Sequence, residues 1–354
     1  MTKNKTFLTI LLCLGITGIL AQVQPLPVQS YDYHIPANNI SPITLGMGGI
    51  NLTHSTDILA SYDNPALLAN NSTTAFATTF RLKNTEDMLF SEIIQASNLL
   101  KDKQFMYYTL VTKNAAWSYH PVASTHISRL YNIYDTQYSE YYDYQLDKLQ
   151  LSIAAKDEKY TKLAGGLNIK YLTGRLVYLK QRRISSNSWV TEGALIDDKV
   201  KGISGDIGFS WVEDKYTWGA CLYDVLSRLW WENYDSKSLQ RRAAIGFQYN
   251  VPNLALLASI QSKVSNSPET TYHFGLVRNF SWKRESAENN KTIEQNLVIR
   301  TGLFSKDFNG TENINYTLGS GYNYNMFRVD FALTNVGMRL KDSQYLFSVG
   351  IGIQ

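Results

Sequence analysis

From residue 74 onward the chain repeats one pattern: apolar side chains at every second position, with small or polar ones between. Tyr345, Phe347, Val349, Ile351 and Ile353 alternate with Ser348, Gly350, Gly352 and Gln354. Phe327, Val329, Phe331 and Leu333 alternate with Arg328, Asp330, Ala332 and Thr334. Period two places the two sets on opposite faces of a β-strand. Similar runs occupy 149–155, 163–171, 203–211, 243–249, 254–260, 272–276, 297–303 and 314–324. Past residue 21 no stretch approaches the roughly 20 consecutive apolar residues of a membrane helix. A sheet that is apolar on one face and carries charge on the other fits a closed transmembrane barrel. In lipid an open edge would leave backbone groups unpaired.

The connections alternate in length, as barrel turns and outer loops do. Short ones fall at 113–114, 157–159, 213–215, 251–253 and 323–325. Long ones fall at Asn84–Gln104, Tyr131–Asp147, Lys180–Gly202, Leu226–Arg241 and Ser305–Asn313. The segment Asn279–Gln295 breaks the alternation, being long and charged on the turn side. The expected fold class is therefore all-β: an antiparallel transmembrane barrel of about 14 strands over residues 74–354. Tyr accounts for 24 residues and aromatics for 13%, in keeping with interfacial girdles. A soluble Tyr-rich β-protein is the alternative.

The first 21 residues set the compartment. Lys3 and Lys5 precede an apolar run from Phe7 to Leu20, with cleavage expected after Ala21. This is the plan of a secretory signal peptide, and with a barrel it places the protein in the outer membrane of a Gram-negative bacterium. Processing leaves 32 basic against 30 acidic residues. No basic block points to nucleic acid, and a single remaining cysteine, Cys221, rules out an intrachain disulfide.

Residues 22–73 differ from the rest. They hold five of the eight prolines, a Gly-rich patch (Gly46, Gly48, Gly49), Asp57, and the run Asp63-Asn64-Pro65-Ala66-Leu67-Leu68. Proline cannot sit in a central strand, while Asn before Pro suits the start of a short helix. The region reads as a compact insert, a plug or hatch, leading into the first strand. Gly46, Gly48, Gly49, Asp57, Asn64, Pro65 and Ala66 together resemble the N-terminal signature of the FadL-like outer-membrane proteins. They are also similar to that of the PorV and PorQ barrels of type IX secretion in Bacteroidetes. The first resemblance implies a fourteen-stranded barrel with an N-terminal plug that takes up hydrophobic compounds such as fatty acids. The second implies a non-enzymatic barrel that binds secretion-system partners, and the long charged segment 279–295, out of pattern on the turn side, favours it as a docking element. By their own chemistry the motif residues build the turns of the insert rather than touch a ligand.

Pro121, within a strand expected near 117–130, must sit at a bulge or kink because it cannot donate to the ladder. The resemblance implies a gap in the wall there; a loop position above the bilayer is the alternative. Arg300, Arg328, Asp330 and His273 fall in the lumen phase of their strands. The five histidines form no His-Glu-x-x-His motif, and no Gly-x-Ser-x-Gly occurs. Gly46-Met47-Gly48-Gly49 lacks the Gly-Lys-Ser/Thr ending of a phosphate loop. Neither catalysis, cofactor nor metal is expected. The expected partners are outer-membrane lipid and a hydrophobic small molecule. Ile93, Ile94, Leu99 and Leu100 offer an apolar surface in the first outer loop.

Overall fold

The computed structural model describes residues 27–28, 40–82, 103–193, 195–264, 268–285, 292–306, 313–336 and 343–353. The expected signal segment 1–21 and the apolar residues 93–100 of the expected first outer loop lie outside these. The strands are β1 (Thr74–Leu82), β2 (Lys103–Thr112), β3 (Ala115–Ile133), β4 (Thr136–Lys156), β5 (Leu163–Ser185), β6 (Ser188–Thr191), β7 (Ile196–Val212) and β8 (Tyr216–Trp231). They continue as β9 (Arg242–Val251), β10 (Leu254–Lys263), β11 (Thr270–Glu285), β12 (Thr292–Ser305), β13 (Asn315–Tyr324), β14 (Phe327–Val336) and β15 (Gln344–Ile353). Each pairs antiparallel with its neighbour, and β15 returns to β1 in the register Thr74↔Ile353 to Leu82↔Tyr345. β6 only adds to the outer end of β5, which also pairs with β7, so a closed barrel of 14 strands results.

The alternation read from the sequence separates outside from inside. On β4, Leu149, Leu151 and Ile153 are exposed while Gln150 and Ser152 are buried. On β5, Leu167 and Ile169 face out while Asn168 and Lys170 face in. An apolar belt of this kind costs free energy in water and none in lipid. Tight turns close the rim at which β1 starts and β15 ends. Asn114, Asn253 and Asn325 take positive φ there (67°, 61° and 53°), a conformation Asn tolerates well among non-Gly residues.

Four connections differ from expectation. Tyr131–Asp147 is not a loop but the outer half of the β3–β4 hairpin, paired from Ile133↔Thr136 down to Pro121↔Asp147. Its Tyr-rich sequence pairs across strands, with the Tyr131 and Tyr138 rings stacked 5.5 Å apart. Lys180–Gly202 is largely strand as well, supplying the end of β5, β6 and the start of β7. Of Asn279–Gln295, the described residues 279–285 and 292–295 continue the β11–β12 ladder, with Phe280↔Leu297 and Trp282↔Gln295. There the period-two placement of Phe280, Trp282 and Leu297 outweighs the charge that made it read as a loop. Leu226–Arg241 is split: β8 runs on to Trp231, and Trp231 is buried inside the barrel.

Candidate functional site

The segment 40–73 lies inside the barrel and makes its own frame before it meets the wall. Ser41 caps α1 (Pro42–Gly46): its Oγ accepts from the backbone N–H groups of Ile43 and Thr44 and donates to Asp57 Oδ2 at 2.9 Å. Asp57 Oδ1 accepts from the Leu59 N–H at 2.8 Å. Asp63 Oδ2 accepts from the Asn51 N–H and from Thr44 Oγ1, both at 3.2 Å. Thr44 Oγ1 is equally 3.2 Å from Asp57 Oδ2, and one hydroxyl hydrogen cannot serve both carboxylates. Desolvation, reinforced by the Asp57 charge, raises the Asp63 pKa to about 7. Burial likewise pushes Asp57 up, against the pull of Arg328. His54 goes the other way: burial, then Arg300 and Arg328, hold it down to about 3, so its imidazole stays neutral as a hydrogen-bonding group.

Asn64 is the second organiser. Its Nδ2 donates to the Leu52 carbonyl (2.8 Å) and to the wall carbonyl of Phe209 (3.0 Å), and its Oδ1 accepts from the Ala66 N–H. Pro65 then opens a short 3-10 helix through Asn70. Gly48 and Gly49 have φ of 93° and 86°, which glycine adopts without a Cβ clash. They let the chain lie against wall positions that are themselves glycine. A Cβ at Gly302 would come within 2.5 Å of Gly48 N, and one at Gly166 within 2.5 Å of Ala66 N. Gly46 packs on Gly319 and Arg300. The segment is thus seated on a glycine-lined bed.

Of the other residues singled out in the sequence, Arg300 and Asp330 form a fully buried pair (3.0 Å), and Arg328 reaches the same carboxylate at 2.7 Å. Arg328 also donates to the Thr56 carbonyl at 2.8 Å, tying the wall to the inner segment. His273 is buried in the lumen, its Nδ1 2.7 Å from the Gly48 carbonyl oxygen. Pro121 sits at a register shift in the β3–β4 ladder. On its other side the β2–β3 ladder consists of five pairs and stops at Tyr108↔Tyr119. β2 nonetheless continues back to Lys103, and β3 on to Ile133.

The rest of the interior is layered. Above the inner segment lies a cavity of about 230 Å³ whose wall includes Tyr62, Asp63, Lys148, Lys170, Tyr223 and Arg242. Lys170 bridges Asp206 (2.6 Å) and Asp224 (3.0 Å), and Arg242 stands 3.9 Å from Asp224. Lys148 is buried, has no carboxylate partner among the described residues, and lies 4.0 Å over the Tyr62 ring. One step further out, the same faces turn apolar. β4 goes from Gln150 and Lys148 to Leu146 and Tyr144, and β5 from Asn168 and Lys170 to Leu172 and Leu176. With Val122, Ile196, Val200, Leu229 and Trp231 these form a cluster in which Val28 is fully buried.

Lys170 and Asp206 lie within the alternating runs 163–171 and 203–211. Tyr62, Asp63, Lys148, Asp224 and Arg242 were missed, although Asp63 adjoins the Asn-Pro-Ala motif. Lys148 and Arg242 border segments that read as loops, so their facing was not apparent.

No family model matches the chain, and no curated protein matches it. Solved structures that it resembles include the P. putida toluene transporter TodX, with a TM-score of 0.48 and 12% identity over 91% of this chain and 97% of that one. The Ralstonia pickettii toluene transporter TbuX gives 0.47 and 13% over 89% and 97%. A Pseudomonas aeruginosa FadL homologue gives 0.43 and 10% over 91% and 97%. Each likeness spans about nine-tenths of this chain at 10–13% identity.

Proposed function

We propose that this protein admits hydrophobic small molecules through the outer membrane and does no chemistry on them. The layered interior carries the reading: a packed apolar layer toward the outer rim, then a cationic cavity, then the seated inner segment. A molecule with an apolar body and an anionic end matches that order, which makes fatty acids the favoured class. The body gains about 25 cal/mol per Å² of apolar surface removed from water. The head meets the buried Lys148 ammonium, whose charge is costly to leave unpaired. Straight passage is obstructed by residues 40–73, held by Asp57, Asn64 and the glycines. Exit is sideways, where the β2–β3 ladder stops beside Pro121.

Mass spectrometry of small molecules extracted from the purified protein, with an unrelated barrel as control, tests this. A stoichiometric anionic amphipath, depleted in Lys148→Met, is the expected result. A second reading, a barrel that docks protein partners, draws on the tight seating of the inner segment and on the long β11–β12 hairpin. No enriched ligand, together with a co-purifying protein lost on shortening 286–291, decides for it.

A further inference from the structure

Beyond Tyr108↔Tyr119 the β2–β3 seam is closed by rings rather than by backbone hydrogen bonds. On one side Phe105 of β2 stacks on Tyr119 of β3, with centroids 6.1 Å apart and planes at 17°. On the other, Tyr107 of β2 meets His120 of β3 at 6.2 Å. Both are completely buried, and among the described residues His120 Nε2 has no hydrogen-bond partner. A third ring completes this group from within. Tyr62, on the inner segment, packs edge-on against Tyr107 (5.7 Å) and His120 (5.5 Å), with its hydroxyl 3.4 Å from His120 Nδ1. The same Tyr62 lines the cationic cavity. It therefore stands between the cavity and the seam, in contact with both.

Tyr62 is held there by Lys148, whose ammonium lies over its ring at 4.0 Å. This attraction is modest, and an anion reaching Lys148 gains a stronger charge-assisted hydrogen bond. We propose that Tyr62 is the latch of the β2–β3 seam, and that an anionic ligand head releases it by drawing Lys148 away from the ring. The charge of the ligand is then what opens its own exit. A neutral molecule of the same shape leaves the latch closed. This rests on the conduit reading above and adds to it the coupling between cavity and wall.

The test is disulfide trapping across the seam in the full-length protein in lipid vesicles. Phe105→Cys and Tyr119→Cys are combined on a Cys221→Ser background, and cross-linking under a mild oxidant reports a closed seam. Dodecanoate slows trapping on the order of tenfold, the scale of one cation–π contact, and dodecanol does not. Tyr62→Ala slows trapping without ligand and removes the difference between the two probes; Tyr62→Leu does the same if the alanine variant fails to assemble. Tyr62→Phe, which keeps the ring, restores most of the rate. Lys148→Met removes the response to dodecanoate. Unchanged trapping in both Tyr62→Ala and Tyr62→Leu overturns the latch. Equal effects of dodecanoate and dodecanol overturn the role of charge. Binding of both probes is followed in parallel by tryptophan fluorescence. Absent binding counts against the conduit reading and the ligand-driven release, while the Tyr62 variants still decide the latch.

Discussion

A carboxyl group with a pKa near 7 makes the inner segment sensitive to pH. Asp63 keeps its proton to about 7 in the folded protein, whereas a solvated Asp loses it near 3.9. Between these values the folded state binds more protons, so stability falls as pH rises through this window and levels off above it. Asp57, also raised, adds in the same direction. The thermal midpoint of the folded-to-unfolded gel shift is therefore expected to be higher at about pH 5 than at about pH 8. Asp63→Asn should flatten most of that difference, and a variant with the full wild-type slope would count against the assignment. Asp330 poses the opposite problem, since it is the shared counter-ion of Arg300 and Arg328. Asp330→Ala strands a buried guanidinium and is expected to cost about 3–5 kcal/mol, readable by urea unfolding in vesicles.

At the level of elements, the wall strands trade their own stability for a seat. Glycine inside a strand weakens it, yet Gly166, Gly208, Gly275 and Gly302 recur on the lumen face, where any Cβ would meet the inner segment. Gly165 and Gly166 are neighbours on β5 and separate the two effects. A Cβ at Gly165 meets nothing within 4 Å, whereas one at Gly166 meets Pro65 and Ala66. Gly166→Val is expected to unseat the segment, lower stability by about 1–3 kcal/mol, and raise the permeability of vesicles to small sugars. Gly165→Val should leave both unchanged, and equal effects of the two substitutions would sink the idea of a built seat.

For the molecule as a whole, the two faces of the closed sheet obey different solvents. Ile169 points out of the barrel and is 56% exposed, while the next residue, Lys170, is buried against Asp206 and Asp224. Ile169→Arg puts a charge into the apolar belt and is expected to cost about 2–4 kcal/mol in a bilayer if it lies near mid-depth. Folding titrations in lipid vesicles read this directly. Closure also explains why the ladder can fail at one place. With β1 bonded to β15, the remaining strands hold the wall while β2 and β3 part beyond Tyr119, with aromatic side chains in place of the missing backbone bonds.

The alternation of residues such as Leu149–Ile153 and Phe327–Leu333 determined the barrel from sequence alone, because a period of two has one geometric meaning. The turn chemistry at Asn114, Asn253 and Asn325 determined one rim. Pro121 marked an irregularity of the β3–β4 ladder, where the register shifts, since a missing N–H is a local property. The long outer hairpin of β3 and β4 was not legible. Its Tyr and charged residues alternate without an apolar face, and only pairing across strands makes them sheet. Nor was the site. Tyr62, Lys148 and Arg242 come from the inner segment, β4 and β9, and nothing local records that they line one cavity. The direction of a side chain follows from strand phase. Which ring meets which ammonium is decided only when the sheet closes and the inner segment is seated within it.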